Sequence, residues 1–309
     1  MRLKTSGASV VAIAAVVILV SMSVPARAQD GQVLLPAQSA AKAKALLQEM
    51  IQALGGSAYL EVKDSTCRGM LGTFGHSGML SSYESFWDFN KFPDKDRTEF
   101  SKKRNIIEIT NGNQGWTLDR GGVSDESAKE IQDNVREREL DLDYILRYRL
   151  NEPGMIFRYI GPDIVDLKEA DWVEIDDPEG HQIRIAISKM THLPIREEVA
   201  MRDPVTHMRT EEVNYYSDFH KVDGVMLYFQ QTQIRNGMKQ FQVFYDPNGC
   251  KLNTGLSDSL FTKASLEELW AKTGKKKKNK KEEKKAKADK KPSAAKTASD
   301  HLIRFRLTR

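Results

Sequence analysis

The chain has 309 residues, of which 40% are hydrophobic and 29% are charged, and its formal net charge is +4. The charge is unevenly distributed, because residues 271–309 carry 16 Lys and Arg against four Asp and Glu, whereas residues 29–270 carry 28 basic and 39 acidic residues. A net positive charge confined to one end does not indicate a nucleic-acid-binding domain, so we expect no nucleic-acid partner.

The first 28 residues have the pattern of a secretory signal peptide. Arg2 and Lys4 precede an apolar run over residues 8–20, and Ala26-Arg27-Ala28 forms a small-x-small cleavage site. The run spans about 13 residues where a membrane-spanning helix needs about 20, so we expect cleavage near Ala28 rather than an N-terminal anchor. The residue directly after the predicted cleavage site is Gln29 and not the cysteine that acylation would require. We therefore predict a protein of the periplasm or the exterior.

An amphipathic helix opens the mature chain, within AQSAAKAKALLQEMIQALGG. Its apolar positions recur at helical spacing, and Gly55-Gly56 end it. The residues predicted to share one face are Ala43, Leu46, Leu47, Met50, Ile51 and Leu54. From Tyr59 through Cys67 the pattern becomes strand-like, and further strands are predicted over 83–89 and 105–109 before an Asn111-Gly112 turn.

Four glycines spaced three residues apart, from Gly69 to Gly78, predict a flexible or bulged connection. A phosphate-binding loop is excluded because no Gly-Lys-Ser/Thr follows.

A polar helix beginning near Ser124 and Ser127 is predicted next, followed by a second helix in LDYILRYRL. The apolar spacing breaks at Arg138-Glu139, so we expect two short helices that end before Pro153-Gly154. From Trp172 onward, strands alternate with turn residues such as Asp177-Pro178-Glu179-Gly180 and Asn236-Gly237, which predicts an antiparallel meander.

A brief helix, SLEELWAK, is predicted after Phe261, and a lysine-rich tail follows it. The composition of residues 271–309 indicates disorder, because lysine blocks without aromatic residues cannot form a packed core. Such a tail either contacts anionic surfaces or serves as a solvated linker. The predicted organisation is thus a signal peptide (1–28), one binding domain (29–270) and the tail (271–309).

Two cysteines, Cys67 and Cys250, occur in the chain. An oxidising compartment permits a disulfide between them, although two half-buried thiols on separate strands fit the sequence equally. No CxxC motif is present, so no zinc site is predicted.

Enzymatic motifs are missing from the sequence. The six histidines show no HExxH spacing, and no Gly-x-Ser-x-Gly elbow occurs. Asp218, His220 and Asp223 form the densest acid and histidine group, but they fall at a strand end and turn, where Asp and Gly have ordinary conformational roles. We predict a non-catalytic protein without a cofactor or metal, and an unrecognised hydrolase is the weakest alternative.

The order of these motifs over residues 36–262 resembles the outer-membrane lipoprotein-sorting family, the LolA/LolB-like group. The likeness rests on the opening helix ending in LGG, on Asn111-Gly112 before Gly115-Trp116, on SKMTHLPIREE, and on a closing string of spaced residues. That string comprises Tyr216, Asp218, Val222-Asp223-Gly224-Val225, Asn236-Gly237, Asn253 and Phe261. Pro247-Asn248-Gly249-Cys250 departs from the family pattern by interrupting the penultimate strand.

The resemblance implies a fold of strands with helices (α+β), an incomplete antiparallel β-barrel wrapped over a helical lid and holding acyl chains on its concave side. It implies a periplasmic carrier of acylated lipoproteins or lipids that exchanges cargo with an inner- or outer-membrane partner protein. The alternative is an envelope sensor or adaptor that grips a protein partner with the same concave sheet.

A carrier of this kind needs an apolar lining, since each buried methylene contributes about 0.8 kcal/mol. Ordinary core packing explains the same side chains as well. The predicted lining residues are Met50, Leu54, Ile107, Ile109, Trp116, Ile145, Leu146, Ile185 and Ile187.

Overall fold

The computed structural model of the protein describes residues 34–202 and 207–272. The predicted signal peptide lies outside the described residues, and so does the predicted tail apart from its first two positions, which end a helix. Among the helices of the described ranges, none combines the length and the apolar character needed to cross a membrane.

The first half of the chain forms two helices, six strands and two further helices. These elements are α1 (Pro36–Leu54), α2 (Ser57–Leu60), β1 (Asp64–Phe74), β2 (Leu80–Lys91), β3 (Lys95–Phe100), β4 (Ile106–Asn111), β5 (Gln114–Leu118), β6 (Val123–Asp125), α3 (Ala128–Glu139) and α4 (Leu142–Tyr144). Helix α4 continues into a π-helical turn, Ile145–Arg149. The break at Arg138-Glu139 is therefore confirmed.

The second half is a run of antiparallel strands followed by one helix. These elements are β7 (Ile156–Val165), β8 (Lys168–Asp176), β9 (Gln182–Ser188), β10 (Pro194–Arg202), β11 (Arg209–Val222), β12 (Val225–Arg235), β13 (Met238–Tyr245), β14 (Lys251–Leu252) and α5 (263–272). The predicted meander and the predicted helix after Phe261 are both confirmed.

All strands belong to one 14-stranded antiparallel sheet. Its order is β6-β5-β4-β3-β2-β1-β13-β12-β11-β10-β9-β8-β7, and β14 pairs with β1 beside β13. Strands β6 and β7 are the two ends of this order, so the sheet curls without closing. The predicted fold class, an open antiparallel barrel with helices, is confirmed.

Helix α1 packs on the concave face of this sheet, chiefly against β7, β8 and β12. It begins at Pro36, a residue suited to the first helical turn because it has no N–H to satisfy, and it ends where Gly55 adopts φ 134°. Its apolar stripe meets inward side chains of β8 and β9 such as Val173, Ile175 and Ile185 in the main core. Five of the six predicted face residues are fully buried: Ala43, Leu47, Met50, Ile51 and Leu54.

Two local predictions were wrong. Tyr59 lies in the short helix α2 and not in a strand, because its buried ring and its hydroxyl, 2.6 Å from Asp143 Oδ1, are held by tertiary contacts. Gly69 and Gly72 lie inside β1 and not in a flexible connection. At Gly69 a Cβ would come within 2.3 Å of the Phe244 carbonyl oxygen, so close strand packing requires glycine there.

The cysteines lie on adjoining segments of the sheet, Cys67 in β1 and Cys250 just before β14. Both are buried, and in the structure they form a disulfide with a Cα–Cα distance of 4.1 Å and a sequence separation of 183 residues. The bond thus links the first strand to the return of the chain after the Pro247–Gly249 break.

We expect the Cys67→Ala/Cys250→Ala double variant to lose about 3–5 kcal/mol of unfolding free energy, because the cross-link restricts a long loop in the unfolded chain. Urea unfolding of the full chain measures this loss. Wild-type protein in excess reductant is the control and should match the variant. An unchanged urea midpoint in both would contradict the prediction.

Candidate functional site

The concave face of the sheet has two parts of different chemistry. Under α1 it is apolar and filled, whereas on the side covered by α3 it encloses a cavity of about 530 Å³. Strands β3, β4, β10, β11 and β12 supply the floor of this cavity, and α3 supplies one wall. A volume of this size accommodates a few side chains or a small ligand.

Acidic side chains dominate the cavity lining. Nine carboxyl-bearing residues contribute: Asp96, Glu108, Glu126, Glu130, Asp133, Glu137, Asp141, Glu197 and Glu212. Among the lining residues of the described chain, Arg235 is the single Lys or Arg. Phe74, Met201 and Met238 add apolar surface near one end. The cavity therefore offers negative charge together with an apolar margin.

Helix α3 presents its acids to the cavity because of their spacing. Glu126 precedes the helix, and Glu130, Asp133 and Glu137 follow at intervals of three or four residues, which places them on one face. Ser127 caps the helix: its side chain accepts a hydrogen bond from the Glu130 N–H, and the Glu130 carboxylate accepts one from the Ser127 N–H. The acidic face is thus held by a well-formed helix start.

A hydrogen-bonded ladder crosses the floor from β10 to β12. Tyr216 Oη donates to Glu197 Oε2 at 2.7 Å, and Asn214 Nδ2 donates to the same oxygen at 3.1 Å. Gln231 Nε2 in turn donates to Asn214 Oδ1 at 3.2 Å. Within the described residues, the second oxygen of Glu197, Oε1, has no hydrogen-bond partner, although the residue is only 1% exposed.

Arg235 joins the ladder to α3. Its Nη2 lies 2.7 Å from Glu212 Oε1 and 3.0 Å from Glu137 Oε1, so one guanidinium is shared by two carboxylates. Gln233 Nε2 donates to Glu212 Oε2 at 3.2 Å.

On α3, Asp133 is paired with Lys129 and with Arg136, whose Nη1 lies 3.4 Å from Asp133 Oδ1. Acidic residues nevertheless outnumber lysines and arginines in the lining by nine to one.

Burial raises the pKa of the two floor carboxyls. Desolvation brings the pKa of Glu197 to about 7, against the opposing hydrogen bonds from Tyr216 and Asn214. Desolvation also brings the pKa of Glu212 to about 7, although Arg235 opposes the shift. The pKa of Asp141 is raised well above its ordinary value by burial and by the neighbouring carboxylate of Asp143. Glu197 and Glu212 therefore change charge near neutral pH, where a bound cation would favour their ionised forms.

Three predicted lining residues lie on the opposite face of the sheet from the cavity. Ile107 and Ile109 are buried in a second cluster with Phe261 and Leu266, and Trp116 packs against it. In β4 the alternating residues Glu108 and Thr110 face the cavity instead. Helix α5 covers the outer face of β4, so the apolar set of this strand is buried there and not on the cavity side.

The other six predicted lining residues are buried in the main core and do not line the large cavity. They are Met50, Leu54, Ile145, Leu146, Ile185 and Ile187. Leu54 also borders a space of about 20 Å³ beside Tyr59 and Tyr216, too small for an acyl chain. Whether a ligand ever contacts these six residues stays a prediction.

Sequence analysis missed the cavity acids. The α3 face could have been recognised, because acids recur at helical spacing from Glu126 to Glu137. Glu197 and Glu212 gave no such signal, since each is followed or preceded by another glutamate and the inward position is set by strand register.

Two other polar groups lie elsewhere. Asp177, Glu179 and His181 could together hold a metal ion, but Arg149 donates to Asp177 Oδ2 at 3.3 Å and to Glu179 Oε2 at 3.2 Å, so a guanidinium already balances these carboxylates. His220 Nε2 lies 2.9 Å from Asp218 Oδ1 on the exposed surface, and Asp223 Oδ2 accepts the Leu252 N–H.

We expect Glu197→Gln to stabilise the protein increasingly as pH rises from about 4.5 to 7. The buried glutamate stays protonated in the folded chain over this interval while the unfolded chain ionises, so wild-type stability falls, by up to about 3 kcal/mol, and the glutamine avoids the fall. Denaturant unfolding at pH 5, 6, 7 and 8 measures the difference, with the exposed Glu61→Gln as control. A difference between variant and wild type that does not change with pH would refute the assignment.

No protein-family model and no curated protein sequence matches the chain. Among solved structures, a DUF1329 family protein from Desulfovibrio piger matches with a TM-score of 0.51 and 16% identity, over 72% of this chain and 98% of that one. A LolA superfamily protein from Nitrosomonas europaea matches with a TM-score of 0.48 and 12% identity, over 72% and 99% of the two chains.

A putative outer membrane lipoprotein-sorting protein domain from Vibrio parahaemolyticus matches with a TM-score of 0.49 and 12% identity, over 74% of this chain and 99% of that one. The match to the DUF1329 family protein, at a TM-score of 0.51, supports the predicted fold. At these identities the likeness shows the fold alone, and the ligand has to be argued from the cavity.

Proposed function

We propose that this protein is a non-catalytic binding protein of the cell envelope that takes a basic, amphipathic polypeptide segment of a partner protein into its concave sheet. The observation that carries the proposal is the lining of the 530 Å³ cavity by nine carboxyl-bearing residues and one arginine. Carboxylates confined in a partly desolvated cleft attract cations more strongly than the same groups spread over a surface.

The chemistry of the lining favours a polypeptide segment over an acyl chain as the occupant of this cavity. An acyl chain gains free energy only from apolar surface, whereas here carboxylates and amides cover much of the wall. Lysine and arginine side chains bring cationic ends on apolar stems, which suit acidic groups beside Met201 and Met238. Secretion by the predicted signal peptide would place this cavity in the envelope.

A second function, the carriage of acylated lipoproteins or lipids, is supported by a different part of the sheet. Helix α1 shares the main apolar core with a bed of β9 side chains that includes Ile183, Ile185 and Ile187. If α1 moved away, this bed together with Met50 and Leu54 would form an apolar groove. The exposed Leu167, at the turn between β7 and β8, would suit contact with a membrane during cargo exchange.

For the first function, we expect a fluorescently labelled 20-residue peptide of alternating lysine and leucine blocks to bind the protein at low salt. The full chain should be tested beside a full-length variant whose six lysines in 275–281 are glutamine, so that the chain's own lysines do not compete with the probe. Glu108→Gln/Glu130→Gln/Asp133→Asn should weaken binding about 10-fold, at about 0.5 kcal/mol per lost charge pair.

The control is Glu61→Gln/Asp166→Asn/Glu169→Gln, which removes three exposed charges outside the cavity and should leave affinity within about twofold. Anisotropy titrations measure both. Equal weakening by the two triple variants would show that the peptide senses only net charge, and no binding to either full-length chain would overturn the proposed function.

Binding of the same peptide should also weaken as pH falls from 8 to 6. Glu197 and Glu212, with pKa values of about 7, take up protons over this interval and lose the charge that attracts a cation. Glu197→Gln should show a smaller pH dependence. Affinity that is constant or increases toward pH 6 would exclude these floor carboxylates from the binding site.

For the second function, we expect native mass spectrometry of the protein purified from its own envelope to show a bound lipid mass. Ile185→Asn, which places a polar group in the bed, should abolish the bound lipid mass. The matched control is Ala186→Asn, whose residue is buried in a separate cluster on the other face of the same strand, and it should retain that mass. Protein that carries no lipid and takes up none from envelope extracts after delipidation would end the carrier proposal.

A further inference from the structure

The acidic cavity and the lysine-rich end of the chain have opposite charge. Residues 275–291 contain eleven lysines against three acidic residues, whereas the cavity lining contains nine acidic residues and one arginine. Both belong to one chain, so their encounter is intramolecular and takes place at an effective concentration on the order of millimolar.

Helix α5, which precedes this segment, lies against the edge of the sheet from which the chain enters α3. Helix α5 covers the outer face of β4 and β5, where Leu266 is fully buried. Lys263 Nζ lies 2.7 Å from Asp125 Oδ2 at the end of β6, which is one edge of the sheet. Beyond this edge strand the chain enters α3, whose acids line the cavity. The last described residue therefore belongs to a helix that contacts the sheet edge bordering the acidic side.

The path from the end of α5 to the cavity is short enough for the first lysines of the segment to span. A helix packs about 10 Å from a sheet, so passing from the α5 side to the α3 side requires about 20 Å. Extended chain spans about 3.3 Å per residue, so the six residues 273–278 cover that distance and the later lysines reach the cavity floor.

The cavity also contains a group that needs a donor. Glu197 Oε1 has no hydrogen-bond partner in the described part of the chain, while its neighbour Oε2 accepts two hydrogen bonds. An ammonium group, with three N–H donors and a positive charge, satisfies such an oxygen and offsets the cost of burying its charge.

We propose that the lysine-rich segment 275–291 of the chain occupies the acidic cavity as an intramolecular ligand and competes there with the basic segment of a partner. This inference rests on the cavity of the proposed function, and it adds that the site is regulated by the chain's own C-terminal region. A partner then gains access by displacing the lysines, and high ionic strength favours release.

The test uses full-length chains throughout. A labelled synthetic peptide with the sequence of residues 273–292 is titrated against the wild-type chain and against the variant with glutamine at the six lysines of 275–281. We expect the variant to bind the peptide at least 10-fold more tightly than wild type, because its own segment no longer competes. Adding Glu108→Gln/Glu130→Gln/Asp133→Asn should remove this gain, and adding the control triple Glu61→Gln/Asp166→Asn/Glu169→Gln should retain it.

Zero-length carbodiimide crosslinking of the wild-type chain at low salt gives an independent readout. We expect intramolecular links from lysines of 275–291 to Glu130, Asp133 or Glu137, lost at 0.5 M salt. Links that fall mainly on exterior acids such as Asp166, or that join two chains, would overturn the inference.

The two proposals fail differently. Equal peptide affinity of the wild-type chain and the lysine-to-glutamine variant overturns the inference and leaves the proposed function intact. Absence of peptide binding by both chains overturns the proposed function. If the cavity-directed crosslinks are then also missing, the inference falls with it.

Discussion

The packing of α1 against β7, β8 and β12 determines what the rest of the molecule can do. A half-open sheet of this curvature has one concave face, and the helix fills its apolar part with Leu47, Met50 and Ile51, each at most 2% exposed. The space that remains lies under α3, where the inward positions are carboxylates and amides. In this chain the sheet therefore encloses a polar cavity beside its apolar core.

Burial and hydrogen bonding act in opposite directions on the carboxyl groups in that space: burial favours their neutral form, and the hydrogen bonds that they accept favour their ionised form. Desolvation raises the pKa of Glu197 and Glu212 to about 7, so the folded protein carries them at the edge of ionisation. Replacing them by apolar residues would remove this cost, which indicates that the stability of the fold does not require them. Arg235 links this ladder on β10–β12 to the acids on α3 through Glu212 and Glu137.

Much of the fold could be predicted from the sequence, whereas of the site only the acidic face of α3 could. Helix α1 was predictable because six apolar positions share one face and two glycines follow, and the strands were predictable because turn residues separate alternating runs. Alternation divides the side chains of a strand into two sets without telling which set faces inward. In β4, Ile107 and Ile109 are expected to be buried whichever face of the sheet they occupy. The structure buries them under α5, on the face opposite the cavity.

The two candidate functions differ in what must happen to α1. Lifting the helix exposes its five fully buried residues, and at about 2 kcal/mol for each large apolar side chain this costs on the order of 8–10 kcal/mol. An acyl chain of about 16 carbons recovers about 0.8 kcal/mol per methylene, or roughly 12 kcal/mol, so a long lipid could replace the helix while a short one could not. A cationic segment needs no such exchange, because the acidic cavity is already open in the packed state. Under the first proposal α1 therefore stays in place, whereas the carriage of lipid requires a second conformation that only a long acyl chain would stabilise.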